Sequence, residues 1–404
     1  MIVPKLRFTG FNEPWSETSL GKISSFITSG SRDWAQYYSD CGDKFIRMTN
    51  LVRDGITLNL SDLKFVRLPE NSNEGKRTAL QHHDILISIT AELGKLGWVP
   101  DDLGTAYINQ HTALVRPNLS IASSKFVANL LSTKKYNNIL NQHNDSGAKS
   151  GLNLSTIKNF GFYAPNKIEQ TKIADFLSSV DEKITLLNKQ HDLLCQYKKG
   201  WMQKIFSQEV RFKDESGEKF SDWNEILLGK VGEIITGKTP STSVDEFWNG
   251  DILFTTPTDM NDSIKYLVAT ERKVTSKGIK RVLPKGTIMF TCIASIGKMA
   301  LSTLPCITNQ QINSIIVNEK YNNEFIYYCL QFIKPKIISN QANTTVPIVN
   351  KSDFSAISLR IPNLAEQTKI ANFLSALDDK IAVKKAELDK LKTWKQGLLQ
   401  QMFV

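Results

Sequence analysis

Glu169-Gln-Thr-Lys-Ile-Ala-Asp-Phe-Leu-Ser-Ser-Val-Asp-Glu-Lys-Ile184 returns near the end of the chain as Glu366-Gln-Thr-Lys-Ile-Ala-Asn-Phe-Leu-Ser-Ala-Leu-Asp-Asp-Lys-Ile381, twelve of sixteen positions identical and no gap. Beyond Ile184 and Ile381 identity fades while apolar spacing persists. The first copy has Ile173, Phe176, Val180, Ile184, Leu187, Leu194, Tyr197, Trp201 and Ile205; the second has Ile370, Phe373, Leu377, Ile381, Leu388, Leu391, Trp394, Leu398 and Met402. Steps of three and four over about forty positions predict a long amphipathic helix with a partner-facing seam. At about 1.5 Å per residue each helix is on the order of 60 Å long. Two such rods in one chain are expected to pair with each other. Each seam has one polar position, Lys384 standing where Leu187 stands in the first copy and His191 where Leu388 stands in the second, able to fix register. Gly200 and Gly397 recur at equivalent points, where a close backbone approach, a bend or a plain surface site all fit.

The repetition continues outward. Trp15-Ser-Glu-Thr-Ser-Leu-Gly-Lys-Ile23 matches Trp223-Asn-Glu-Ile-Leu-Leu-Gly-Lys-Val231, and Asp84–Lys95 matches Thr287–Lys298. Ile108-Asn-Gln-His111 matches Thr308-Asn-Gln-Gln311, each ahead of an apolar β-rich run. The chain is therefore two copies of a body followed by a helix: bodies at 1–166 and 208–363, helices at 167–207 and 364–404. Each body is mixed. Asp84–Ile89, Lys44–Met48, Ile252–Thr256 and Ile288–Cys292 read as strands, while Ser124–Leu131 and Asn323–Ile333 have helical spacing. The fold class is α+β with an internal pseudo-twofold repeat. Asn137–Gly151 is expected to be an exposed loop and Glu209–Asp222 a linker. Pro165-Asn166 and Pro362-Asn363 set sharp helix starts with Asn as N-cap.

A hydrophobic fraction of 41% and a charged fraction of 22% exclude a disordered or fibrous chain. The net charge of +10 favours an anionic partner, nucleic acid first. Five scattered cysteines without a CxxC pair argue against a disulfide framework or zinc site and fit a reducing cytoplasm. No run approaches a membrane span or a signal peptide.

One stretch matches a phosphate loop formally: Gly232-Glu-Ile-Ile-Thr-Gly-Lys-Thr239. Its interior is strand-like and Pro240 follows without a helical pattern, so an exposed loop is expected instead. His82-His83-Asp84 lacks a second ligand cluster and reads as a solvated turn. GxSxG, HExxH and GxGxxG are all missing, as is an Asn/Asp-Pro-Pro-Tyr/Phe segment, so catalysis by this chain is unsupported.

Two differing bodies alternating with two near-identical helices resemble the specificity subunit of Type I restriction-modification enzymes, over essentially the whole chain. The EQTKIA(D/N)FL repeats are the most specific part. Gly30-Ser-Arg-Asp-Trp-Ala-Gln-Tyr-Tyr38 with Phe45–Leu51 resembles one class of that family's target-recognition domains. Gly237-Lys-Thr-Pro-Ser241 with Phe247–Ile252 and Thr256–Asp259 resembles another. The resemblance implies a non-catalytic reader of double-stranded DNA. Each body would take one half of a split target, with the helices, as an antiparallel coiled coil, holding the halves apart. Two modification (methyltransferase) subunits would dock on it, and this chain itself would bind no cofactor: S-adenosylmethionine, ATP and Mg2+ would sit on those and on the restriction (helicase-nuclease) subunits. The Glu169–Ile184 stretch would be the docking face.

Base edges are read by Arg, Lys, Asn, Gln, Ser, Thr and Asp, and phosphates by Lys, Arg and small hydroxyls. In the first body the candidates are Ser31, Arg32, Trp34, Tyr37, Tyr38, Arg47, Thr49, Asn50, Lys95, Asn109, Gln110 and His111. In the second they are Lys238, Thr239, Ser241, Thr258, Asp259, Lys298, Asn309, Gln310 and Gln311. Strand capping by the Asn-Gln pairs and core packing by Trp34 and the tyrosines fit equally well. A stand-alone two-domain regulator or a coiled-coil adaptor also satisfies the residues by themselves.

Overall fold

The computed structural model describes residues 3–70, 72–142, 151–262, 264–339 and 348–403. Two compact units account for it: Met1–Asn188 with Ala386–Val404, and Lys189–Lys385. The two long helices, Lys167–Phe206 and Leu364–Met402, each begin in one unit and end in the other.

Within the first unit a sheet orders Ser24–Ser29, Thr112–Pro117, Ile85–Ser88 and Leu96–Trp98, all antiparallel. The second unit repeats it with Gly232–Thr236, Ile312–Val317, Ile288–Thr291 and Met299–Ser302, and adds Tyr266–Leu267 at the edge. Each unit also has a second small sheet. In the first, β1 (Asp43–Ile46) lies between β2 (Lys64–Val66), antiparallel, and β3 (Ala106–Ile108), parallel. In the second, β4 (Trp248–Thr255) lies likewise between β5 (Arg272–Val274) and β6 (Cys306–Thr308).

The recurring tryptophans explain themselves. Trp15 and Trp223 are buried, each edge-on to a helix phenylalanine, Phe126 at 5.7 Å and Phe325 at 5.8 Å. Those helices, Ser124–Ser132 and Asn323–Ser339, join the sheet and the start of the long helix in one apolar core. A buried aromatic pair contributes about 1 kcal/mol beyond the area it buries.

Inside each unit the start of one long helix packs on the end of the other, so the pair is antiparallel. In the first unit Phe176 meets Trp394 at 6.1 Å; in the second Phe373 meets Trp201 at 5.2 Å. Of the seam, Ile173, Val180, Ile370, Leu377 and Leu388 are buried. Phe176, Ile184, Leu187, Leu194, Phe373, Ile381 and Leu391 are half-buried. Leu177 and Leu374, both fully buried, complete the stripe beside the predicted seam, whereas Tyr197 and Trp394 stay about half exposed. Register is fixed by ion pairs at equivalent positions, Asp181 with Lys395 and Lys198 with Asp378 (2.5 Å), whereas His191 meets Asp192 and Cys195 of its own helix.

Two expectations are corrected and one set of alternatives is narrowed. Asn137–Gln142 belongs to the helix Lys134–Gln142, with Asn137 and Leu140 buried against the body; residues 143–150 of that expected loop lie outside the described residues. Glu209–Asp222 is no loose linker, because Arg211 pairs with Glu366 and Phe212 lies edge-on to Phe373 at 5.7 Å. At Gly200 and Gly397 an added Cβ would meet nothing within 4 Å, which rules out a close backbone approach there.

Candidate nucleic-acid interface

The parallel pairing β1 with β3, and β4 with β6, brings the ends of distant segments together in each unit. The loop opening at Gly30 runs against the loop after β3: Ser31 bridges Asn109, and the Gln110 amide donates to the Ser31 carbonyl at 3.0 Å. In the second unit the Lys238 amide donates to the Thr308 carbonyl at 2.8 Å. Close approach demands glycine at both openings. A Cβ on Gly30 would sit 2.2 Å from the Ile108 oxygen, and one on Gly237 2.2 Å from the Asn309 oxygen. Gly237→Ala must therefore push the loop outward.

Next to these loops lies the turn between the central sheet strands. It carries Ala91 and Ala294 at positive φ (56° and 63°), equivalent strained positions in the two units. The Ile89 amide donates to the His111 carbonyl at 3.0 Å and the Cys292 amide to the Gln311 carbonyl at 2.8 Å. Lys95 is paired with Glu92, and Lys298 Nζ donates to the Pro257 carbonyl at 2.9 Å, which ties Thr258 to the same rim. So each unit gathers one rim: Ser31, Arg32, Lys95, Asn109, Gln110 and His111 in the first; Lys238, Thr239, Ser241, Thr258, Lys298, Gln310 and Gln311 in the second.

The two rims present different groups. Asn109 and Asn309 do the same structural task, each accepting the amide two residues on at 3.1 Å, as strand-capping turns do. The glutamines differ. Gln110 Nε2 lies 3.1 Å from His111 Nε2, whose ring is held by the Thr90 hydroxyl at 2.7 Å. Gln310 Oε1 accepts from the Thr239 hydroxyl at 2.8 Å, leaving its NH2 outward. Arg32 and Lys238 are exposed, with no carboxylate partner among the described residues.

The profile of the Type I restriction modification DNA specificity domain matches residues 12–195 and again 220–393. The chain belongs to that DNA specificity family. It carries two specificity domains. The MjaIX specificity subunit of Methanocaldococcus jannaschii is 34% identical over 210 residues, covering 49% of this chain and 48% of that relative. The HindI specificity subunit of Haemophilus influenzae is 26% identical over 86% of this chain and 90% of its own. A solved S subunit from M. genitalium shares the fold, with TM-score 0.65 and 17% identity over 100% and 99% of the two chains.

Several candidates in the specificity domains turn inward. Trp34 is 3% exposed, packed on Phe45 and Tyr107, with Tyr37 edge-on at 6.0 Å; it is core. Asn50 is buried, donating to the Asn59 carbonyl at 2.8 Å and accepting from the Arg47 amide at 2.9 Å. Arg47 donates through Nη2 alone to the Asp62 carboxylate at 2.7 Å and to the Asp62 carbonyl at 2.8 Å. Asp259 clasps its turn, accepting from the Thr256 and Glu271 amides at 2.8 and 2.9 Å. These four serve the scaffold, whereas Thr49 and Tyr38 are exposed. Gly232–Thr236 is a strand whose glycine loop leads to no helix, so no phosphate loop exists there. Asp84 is not solvated as expected: it is buried in a bidentate pair with Arg116, both contacts 2.8 Å. Burial pushes the Cys306 thiol up to about 11, far from a nucleophile's range.

Sequence reasoning missed why Glu and Gln recur in the EQTKIA motif. Glu169 and Glu366 are fully buried, each forked by an arginine: Arg7 at 2.7 and 2.8 Å, Arg211 at 3.2 and 2.7 Å. The carboxylates hold both guanidinium groups above their usual range through these hydrogen bonds. Gln170 and Gln367 accept from the amides of Ser123 (3.0 Å) and Asn322 (2.9 Å) and donate to Pro165 and Pro362. Asn166 and Asn363 cap the helices at 3.0 Å as expected. Leu6-Arg7-Phe8 and Val210-Arg211-Phe212 were the legible signal. The matched polar residues at the motif's start thus serve internal bonding, which removes them from the expected docking face. Arg77, reaching the Thr28 hydroxyl and the Ser29 carbonyl beside Gly30, was missed as well.

Proposed function

We propose that this specificity subunit reads a bipartite double-stranded DNA target, one half per specificity domain, while the long helices set the gap between halves. Two modification subunits holding S-adenosylmethionine dock on it, and restriction subunits supplying ATP- and Mg2+-dependent steps join them, in the cytoplasm. No helix of the described residues is long and apolar enough to cross a membrane. The observation that carries the reading is the pair of equivalent rims with unlike side chains. One scaffold placed twice, with Gln110–His111 in one copy and Thr239–Gln310 in the other, offers two different hydrogen-bond patterns to two different base sequences.

The chain, copurified with its modification subunits, should bind a duplex carrying the host's methylated bipartite sequence, with affinity falling steeply as salt rises. Lys238→Ala should weaken binding about tenfold and flatten the salt dependence by roughly one counterion, without altering which bases are preferred. Equal affinity for random duplex would favour a general DNA-binding protein, and no duplex binding at all would leave the adaptor.

A further inference from the structure

We propose that Arg272 reads a guanine in the half-site of the second specificity domain. The inference rests on the bipartite DNA reading above and adds a base and an atom pair to it. β5 lies antiparallel to β4 with Arg272 opposite Phe254, and Phe254 stands opposite Ile307 of the parallel strand β6. Arg272 is therefore at the end of the sheet from which Thr256–Asp259 and Asn309–Gln311 emerge. The Asn309 amide donates to Thr255 and the Glu271 amide to Asp259.

Its guanidinium is already oriented. The carbon of the group lies 3.5 Å from the centroid of the Trp248 ring. That ring is itself fixed, 8% exposed, edge-on to Phe254 at 5.3 Å and donating through Nε1 to the Ser241 carbonyl at 3.0 Å. Stacking uses the face of a guanidinium and leaves its hydrogen-bonding edge open. Arg7, Arg116, Arg211 and Arg281 spend their edges on carboxylates, whereas Arg272, like Arg32, pairs with none among the described residues; the Trp248 ring that holds it is what sets Arg272 apart. A planar fork held in one orientation matches guanine O6 and N7, the commonest arginine contact to a base.

The first domain supplies the contrast. Lys64 stands opposite Phe45, beside Tyr107, at the same register position. It is exposed and has no fork, so a point charge suited to a phosphate replaces the planar reader. Guanine recognition at this position thus belongs to one half-site only.

The test uses the subunit with its modification partners and the duplex they methylate. Arg272→Lys should lower affinity about ten- to hundredfold and relax the base preference at one position of one half-site. Replacing the guanine there with 7-deazaguanine should weaken the wild-type complex similarly and leave an Arg272→Ala complex unaffected. Trp248→Leu, by freeing the fork, should give a milder loss at the same position, with unchanged preference at the other positions of the same half-site serving as the control for folding of the second domain. A half-site without guanine overturns the proposal. So does an Arg272→Lys complex with unchanged preference, or an Arg272→Ala complex that loses only about one unit of salt slope, which would make Arg272 a phosphate contact. A wild-type complex that binds no bipartite duplex would instead overturn the DNA reading, and this inference with it.

Discussion

Arg211→Ala should lower the stability of the second unit by about 3 kcal/mol, because it leaves a buried carboxylate without its counter-charge. Glu366 has no solvent access, and Arg211 supplies both of its side-chain contacts. The same guanidinium also donates to the Ser221 carbonyl at 2.6 Å, so the substitution unfastens the chain entering the body. At roughly 2–4 °C per kcal/mol for a domain of this size, the thermal midpoint should drop by about 6–12 °C. Arg211→Met combined with Glu366→Leu should recover most of the loss, since apolar replacement of a whole buried pair is often neutral. A single substitution without a shift in midpoint, or a double one no better than the single, would show that water reaches Glu366. Arg7→Ala should act alike on the first unit through Glu169.

Seven residues inserted after Asn188 and another seven after Lys385 should lengthen the gap in the recognised DNA by roughly three base pairs. The insertion adds about 10 Å of helix, against a rise of about 3.4 Å per base pair. Both sites lie where the helices pass from one unit to the other, so Asp181–Lys395 and Lys198–Asp378 stay inside their own units and keep their register. A whole heptad preserves the apolar seam. Methylation-sensitive sequencing of a host carrying the variant reads the new gap directly. An unchanged gap would mean that the helices do not set the spacing.

The helices were legible because three- and four-residue spacing is a local property, and so were their caps at Asn166 and Asn363. The Asn-Gln pairs were found by repetition, yet their division of labour was not. Asn109 and Asn309 close turns, and only the glutamines and the glycine-opened loops reach outward. Trp34 and Asn50 misled because a tryptophan beside polar loop residues, or an asparagine after an arginine, looks alike in sequence whether it packs or binds. Arg272 was passed over for the opposite reason. Nothing local marks it, and its platform, Trp248, lies twenty-four residues away on a neighbouring strand.

The sequence by itself determined the duplication, the two rods and the family, because repeated patterns and apolar periodicity survive without coordinates. Only the tertiary structure decided that Glu169 and Glu366 are internal anchors, that the helices are keyed by Asp181–Lys395 and Lys198–Asp378, and which side chains turn outward at each rim. Burial and pairing depend on residues distant in the chain meeting in space, and no local spacing encodes which of two arginines already has its carboxylate.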